Sequence, residues 1–215
     1  MLDLAREVWR LYTVRTDFFL SLLGQHLYLS AVSIAIAFFL GGAVGVACAR
    51  NQAVKAVSMA VVNFLYTIPS IAFFGVLIAF TGIGDTTAII VLSAYALLPM
   101  VRNTCTGISN IDPDVMEAAA GMGTPPLALL WRIQLPLALP MILTGLRNMS
   151  VMVVATAGIA AFVGAGGLGV AIWRGITTYN LAMAVAGSLL IAFLALSIDF
   201  LLGIWEKKFT QRWSS

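Results

Sequence analysis

NIDPDVMEAAAGMGTPPLALLWRIQLP, Asn110 to Pro136, is the longest stretch of this chain that cannot lie in lipid, and long apolar runs flank it on both sides. Asp114 followed three residues later by Glu117 reads as a helix start, with Glu117 reaching back to the N-cap amide and the alanines after it favouring helix. Gly121 and Gly123 end that helix. Thr124 before Pro125 is a second start, since threonine caps and proline fits the first turn. The segment is therefore expected to be two short helices joined at a glycine turn. A short helix held off a membrane by flanking spans suits a groove on a soluble partner; the alternative is an ordinary loop.

The rest of the chain supplies the membrane. Apolar residues make up 61% of the 215 and charged residues only 10%, where a soluble domain carries about a quarter charged. A mean hydropathy of +1.00 agrees. The net charge of +3 comes from few residues, which excludes a nucleic-acid footprint in favour of membrane-flanking lysine and arginine. Cys48 and Cys105 have no metal-ligand spacing, so neither a metal site nor a disulfide framework is expected. The first residues alternate charge with bulky apolar groups and do not resemble a cleavable signal peptide.

A helix of about 20 apolar residues crosses a hydrocarbon core. Five segments qualify, giving an all-α polytopic membrane protein forming a single transmembrane domain over 1–215, with 1–25 as an N-terminal flank and 110–136 as the cytoplasmic segment. The first span, Leu27 to Ala49, carries Ala37, Gly41, Gly45 and Ala49 at four-residue spacing, a small-residue stripe that lets another helix come close. The second, Ala56 to Phe80, contains Asn63 and Pro69, and the proline should break or bend it near mid-membrane. The third starts near Thr86 and runs past Met100, since Arg102 and Asn103 follow it. The fourth is Leu137 to Phe162, with Arg147 and Asn148 inside, and the fifth Leu181 to Trp205, with Asp199 near its end. Trp205, Glu206, Lys207 and Lys208 read as interface anchors.

With the C-terminus inside, the inner face holds Arg50, Lys55, Arg102, Arg132, Arg147, Lys207, Lys208 and Arg212, and the outer face Arg6, Arg10, Arg15 and Arg174. That bias predicts N-out and C-in, although three of the outer arginines precede the first span.

At the polar segment the chain resembles the permeases of binding-protein-dependent ABC importers, whose cytoplasmic signature is E-A-A, three residues, G, nine residues, I, one residue, L-P. Glu117, Ala118, Ala119, Gly123, Ile133, Leu135 and Pro136 occupy every fixed position. The resemblance covers about Gln25 to Trp205 and implies a type I importer permease. It implies two such permeases, or one with a sister permease, around a pore, two ATPase subunits that hold the ATP and magnesium, and an extracytoplasmic substrate-binding protein. It implies that the segment is the coupling helix, with Glu117 in polar contact with the ATPase, Ala118 and Ala119 in close packing, and Gly123 at the turn. TIPSIAFFGVLIAFTGIG from Thr67, LLPMVRNTCTGI from Leu97, LTGLRNM from Leu143 and FVGAGGLG from Phe162 resemble most the osmoprotectant branch that imports glycine betaine, choline or carnitine. A methionine-type cargo is the alternative, because the glycine-rich stretch is shared with that branch.

Asn63, Pro69 and Ser70 are the candidates for lining the path, since a broken helix exposes backbone that only a cavity or protein tolerates; a packing kink is the other reading of Pro69. Tyr66 and Tyr95 read as packing residues, with no aromatic cage evident, and His26 as an interfacial residue. Arg147 and Asp199 read as structural, near the inner face. Gly164, Gly166 and Gly169 satisfy G-x-G-x-x-G but follow a membrane helix and lack the βαβ context of a dinucleotide site, so they read as a flexible turn. The lysines, Lys55, Lys207 and Lys208, have no phosphate-binding glycines before them, so the chain is not its own ATPase, and no cofactor is expected on it. A self-sufficient carrier would need a mid-membrane coupling residue, and no acid lies there.

Overall fold

The computed structural model describes residues 1–213, with side chains described to Phe209; Ser214, Ser215 and the Arg212 side chain lie outside the described residues. All regular structure among them is helical. Helix α1 (Leu2–Val14) precedes α2 (Thr16–Arg50), which is followed by α3 (Gln52–Thr67), α4 (Ser70–Thr81) and α5 (Asp85–Ser109). The short α6 (Pro113–Gly121) then leads to α7 (Pro126–Leu129), which runs through a π-helical turn (Leu130–Gln134) into α8 (Leu135–Ala157). A 3-10 turn (Ala160–Val163), α9 (Gly169–Thr177) and α10 (Leu181–Trp213) complete the chain.

Four stretches are long and apolar enough to cross a membrane on their own, and α3 with α4, bent by 100° at their junction, makes a fifth. The bend falls at Pro69, which caps α4 with extended backbone and cannot continue α3. Two bonds show that this broken pair carries the chain from one side to the other. Arg50, at the end of α2, donates to the Pro126 carbonyl of the polar segment, whereas the Gly84 amide, after α4, donates to the Val163 carbonyl beyond the far end of α8. The expectation of two half-helices is thus met.

Helix α5 is the central post. Leu92, Ala96, Val101 and Met100 are almost entirely buried, with α2 on one flank and α8 on the other. The small-residue stripe of α2 forms the first contact: a Cβ on Gly41 would meet Met100 Cβ at 3.0 Å, and one on Gly45 would meet Thr104 Cβ at 2.5 Å. On the other flank Gly107 and Gly145 let α5 and α8 approach similarly, against Met141 and Asn103. Without a hydrophobic force between helices in lipid, such close van der Waals contact supplies much of the association.

The N-terminal flank is more ordered than a linker. Helix α1 packs its Val8 against α10, and the Tyr12 hydroxyl donates to the Ala186 carbonyl at 2.8 Å. The first span begins earlier than hydropathy suggests: α2 has 35 residues, about 50 Å at 1.5 Å per residue, against a core of roughly 30 Å. The fourth span's helix ends at Ala157 instead of Phe162, because the chain turns through the 3-10 segment.

Gly45→Ala should lower the stability of the purified protein by about 1–3 kcal/mol through overpacking. Gly42→Ala, whose Cβ would sit an ordinary 3.6 Å from Met100 Cε, should change it little; thermal unfolding of both variants in detergent checks the contrast.

Candidate functional site

The polar segment folds as an elbow whose start differs from expectation. Asp112, not Asp114, is the N-cap, its carboxylate accepting the Asp114 amide at 2.9 Å with Pro113 in the first turn. The sequence Asp-Pro-Asp offers two acidic caps, and proline at the first helical position selects the earlier one. The end is as read from sequence. Gly123 has φ +75°, its amide bonds the Ala120 carbonyl, and the Thr124 amide bonds Ala119, the paired arrangement that closes a helix on a left-handed glycine.

The second short helix is a correction. Thr124 makes no cap bond, and the helix starting at Pro126 continues without interruption into the fourth span. The Leu135 amide bonds Leu130, five residues back, immediately before Pro136, which has no N–H of its own. Ile133 therefore lies in the π turn, and Leu135 and Pro136 in the first turn of α8, so the last three signature positions belong to the membrane helix. Of the others, Glu117 and Ala118 are exposed, Ala119 is buried, and Gly123 is exposed at the turn. Gln134 Nε2 reaches Met116 Sδ at 3.8 Å, tying α6 to the foot of that helix. Met122, Leu127 and Trp131 are each more than 60% exposed along the segment that also exposes Glu117.

At the opposite level, the α3–α4 break opens a cavity of about 330 Å³ lined by Tyr66, Pro69, Ser70, Tyr95, Met152 and Thr156. Pro69 and Ser70 thus stand on its wall. Asn63 is not on it; its Oδ1 accepts from Arg102 Nη2 at 3.1 Å. A second cavity, of about 500 Å³, shares Tyr66 and Met152 with the first and adds Pro99, Arg102, Asn103 and Asn148. Tyr66 and Tyr95 are not isolated packing residues. Their rings meet edge to face with centroids 6.0 Å apart, and Phe73 stands in the same relation to Tyr95. The Tyr95 hydroxyl donates to the Ile68 carbonyl released by the break. Sequence alone hid the cluster because its members come from three helices.

Arg147 and Asp199 form a two-pronged pair between α8 and α10, at 2.6 Å (Nε to Oδ1) and 2.8 Å (Nη2 to Oδ2). Glu206 is not an interface anchor: it takes Arg147 Nη1 at 3.0 Å and the Thr144 hydroxyl at 2.5 Å. The fork geometry matches two carboxylates at once, which supports the structural reading. Among the described residues no three His, Cys, Asp or Glu side chains are grouped to hold a metal ion.

The glycine-rich stretch is clamped, not a free turn. Gly164, Gly166 and Gly167 all have positive φ, and a Cβ on Gly169 would fall 1.9 Å from the Gly158 carbonyl oxygen. Gln25 Oε1 accepts the Gly167 amide at 3.1 Å. His26 is fully buried instead of interfacial: Nδ1 accepts the Leu168 amide at 3.3 Å, which leaves Nε2 to donate to the Val154 carbonyl at 3.0 Å.

Residues 33–214 match the family described as binding-protein-dependent transport system inner membrane component. The chain belongs to that family. Similar proteins include the ergothioneine transport permease/ergothioneine binding protein EgtU of Helicobacter pylori, 43% identical over 82% of this chain but only 32% of that longer protein. The chain thus spans about a third of that relative. The glycine betaine/carnitine/choline transport system permease protein OpuCB of Bacillus subtilis is 32% identical over 88% of this chain and 87% of its own length. The osmoprotectant import permease protein OsmW of Salmonella typhimurium is 38% identical, over 85% and 87%. Among solved structures, the inward-facing MetNI methionine ABC transporter contains a chain 25% identical with a TM-score of 0.82, covering 91% of this chain and 97% of that one. The chain is therefore a multi-pass inner-membrane permease component of an ABC importer, and a transport subunit.

In this permease the clamp carries a measurable cost. His26→Leu removes the partners of two buried backbone groups and should lower stability by about 2–3 kcal/mol, read as a lower thermal unfolding temperature. Gln25→Ala, which frees one amide, should cost about 1 kcal/mol.

Proposed function

We propose that this permease, paired with a second copy or with a sister permease, forms the path by which an ABC importer takes up an osmoprotectant such as glycine betaine, choline or carnitine. Two ATPase subunits dock on the elbows and bind the ATP and magnesium; this chain carries no cofactor. An extracytoplasmic binding protein delivers the cargo. The chain lies N-out and C-in, which puts the elbow in the cytoplasm and follows the lysine and arginine bias.

The observation that carries the coupling role is the match of Glu117, Ala118, Ala119, Gly123, Ile133, Leu135 and Pro136 to the family signature on an elbow that exposes Glu117, Met122, Leu127 and Trp131. Such a segment, exposing apolar groups together with a charge, suits a soluble partner. For the cargo, the support is chemical. Glycine betaine, carnitine and choline, named for the Bacillus relative, and ergothioneine, named for the Helicobacter one, all carry a trimethylammonium group. Methionine, named for the structural neighbour, does not, and identity to the trimethylammonium group of relatives is higher.

Glu117→Lys should leave membrane insertion intact and reduce ATP-dependent uptake of radiolabelled glycine betaine at least tenfold in proteoliposomes holding permease, ATPase and binding protein. Uptake at the unsubstituted rate would refute the coupling role. Import of methionine with no import of any trimethylammonium compound would refute the cargo.

A further inference from the structure

The two cavities beside the α3–α4 break differ in chemistry from end to end. At the break, Tyr66 and Tyr95 form two walls inclined at 65° with ring centroids 6.0 Å apart. Phe73 stands edge-on to Tyr95, and the Tyr95 hydroxyl is held by the Ile68 carbonyl, so that ring cannot turn away. Tyr66 is about half exposed toward the opening. Toward the elbow the lining turns polar: Arg102 and Asn103 on α5 face Asn148 on α8. The helical period explains the alignment. Tyr95, Pro99 and Arg102 recur at four and three residues along one stripe of α5, and Asn148, Met152 and Thr156 at four along α8. Tyr95 and Arg102 are two turns apart, about 10 Å along the axis, and helical side chains lean toward the N-terminus, which brings Arg102 back toward Tyr95.

We infer that this furrow is a weak binding site within the permease itself for zwitterions that join a quaternary ammonium to a carboxylate, the ammonium against Tyr66 and Tyr95 and the carboxylate at Arg102, Asn103 and Asn148. The inference rests on the cargo class proposed above and extends it to this chain. An aromatic face attracts a quaternary cation through its quadrupole, and the half-exposed Tyr66 offers one, braced by Tyr95 packed edge to face against it. Arg102 uses one of its five N–H groups on Asn63, which leaves others for a carboxylate. The combined volume suits a small solute, pockets of about 300–1,000 Å³ being usual for such ligands. The site is open, and half its cation wall is exposed, so it holds cargo loosely. Loose holding is what a path requires: a deep trap in the permease would stop release to the inside.

The two ends respond to different parts of the ligand, and that separates the site from general damage. The test is titration of the purified permease–ATPase complex, without binding protein, with glycine betaine and with choline, followed by ligand-observed NMR. Unsubstituted complex should bind both. Tyr66→Leu should weaken both about fivefold, with Tyr66→Phe restoring them. Arg102→Gln should weaken glycine betaine about fivefold and leave choline, which has no carboxylate, unchanged or tighter. Binding of neither compound to the unsubstituted complex, equal effects of Arg102→Gln on the two, or no effect of Tyr66→Leu would each overturn the site. The uptake assay reports the cargo class separately: a complex that imports glycine betaine yet binds nothing without its binding protein keeps the function and loses this site.

Discussion

A backbone group released from a helix inside lipid has no water to turn to, and leaving it bare costs several kcal/mol. This permease interrupts its helices at Pro69, within a span, and again from Gly158 to Leu168, after the fourth, and in both places another helix supplies the missing partner. The Tyr95 hydroxyl on α5 takes up the Ile68 carbonyl. Gln25 and His26 on α2 take up the Gly167 and Leu168 amides. The breaks are therefore possible only because α2 and α5 stand where they do, and those helices stand close because Gly41 and Gly45 allow it. The architecture is a set of irregularities underwritten by two regular posts.

That dependence decides what could be read from the sequence. Spans, the proline break and the small-residue stripe are local patterns of hydropathy and spacing; the break and the stripe are found where their residues put them, and the spans are found with shifted ends on the first and fourth. The elbow's glycine end was legible too, because Gly123 is the residue type a left-handed turn needs. What was not legible is long-range. His26 and Gln25 are separated from their partners by 142 residues, and a lone histidine near a span end looks the same whether it faces lipid headgroups or a buried amide. Glu206 sits among Trp205, Lys207 and Lys208 like an interfacial charge, and only the 59 residues separating it from Arg147 in sequence conceal that it completes an ion pair. The elbow's start was misread for a different reason, since two aspartates compete and the proline between them decides.

The candidate site divides in the same way. Glu117, Ala118, Ala119 and Gly123 lie on one short helix and the turn that closes it, so a sequence signature can describe them. The cavity wall at the break is assembled from α3, α4, α5 and α8, and no single stretch contains it. Pro69 and Ser70 were visible because a proline in a span is conspicuous, whereas Tyr66, Tyr95 and Arg102 look ordinary until α3 and α5 bring them to two cavities that share Tyr66.

One continuous helix joins the two halves of the site. From Pro126 to Ala157 the chain runs 32 residues, with the elbow tied to its foot through Gln134 and Met116 and Asn148, Met152 and Thr156 on the cavity wall above. A rod of this kind transmits displacement without needing a chain of side-chain adjustments. The π turn at Leu130–Gln134 is the one place where its hydrogen-bond ladder changes register, a feature often found at functional positions. Above it, the fork from Arg147 to Asp199 and Glu206 binds the rod to α10. The rod thus joins its foot beside α6 to the cavity wall that carries Asn148, opposite the one on α5 that carries Arg102.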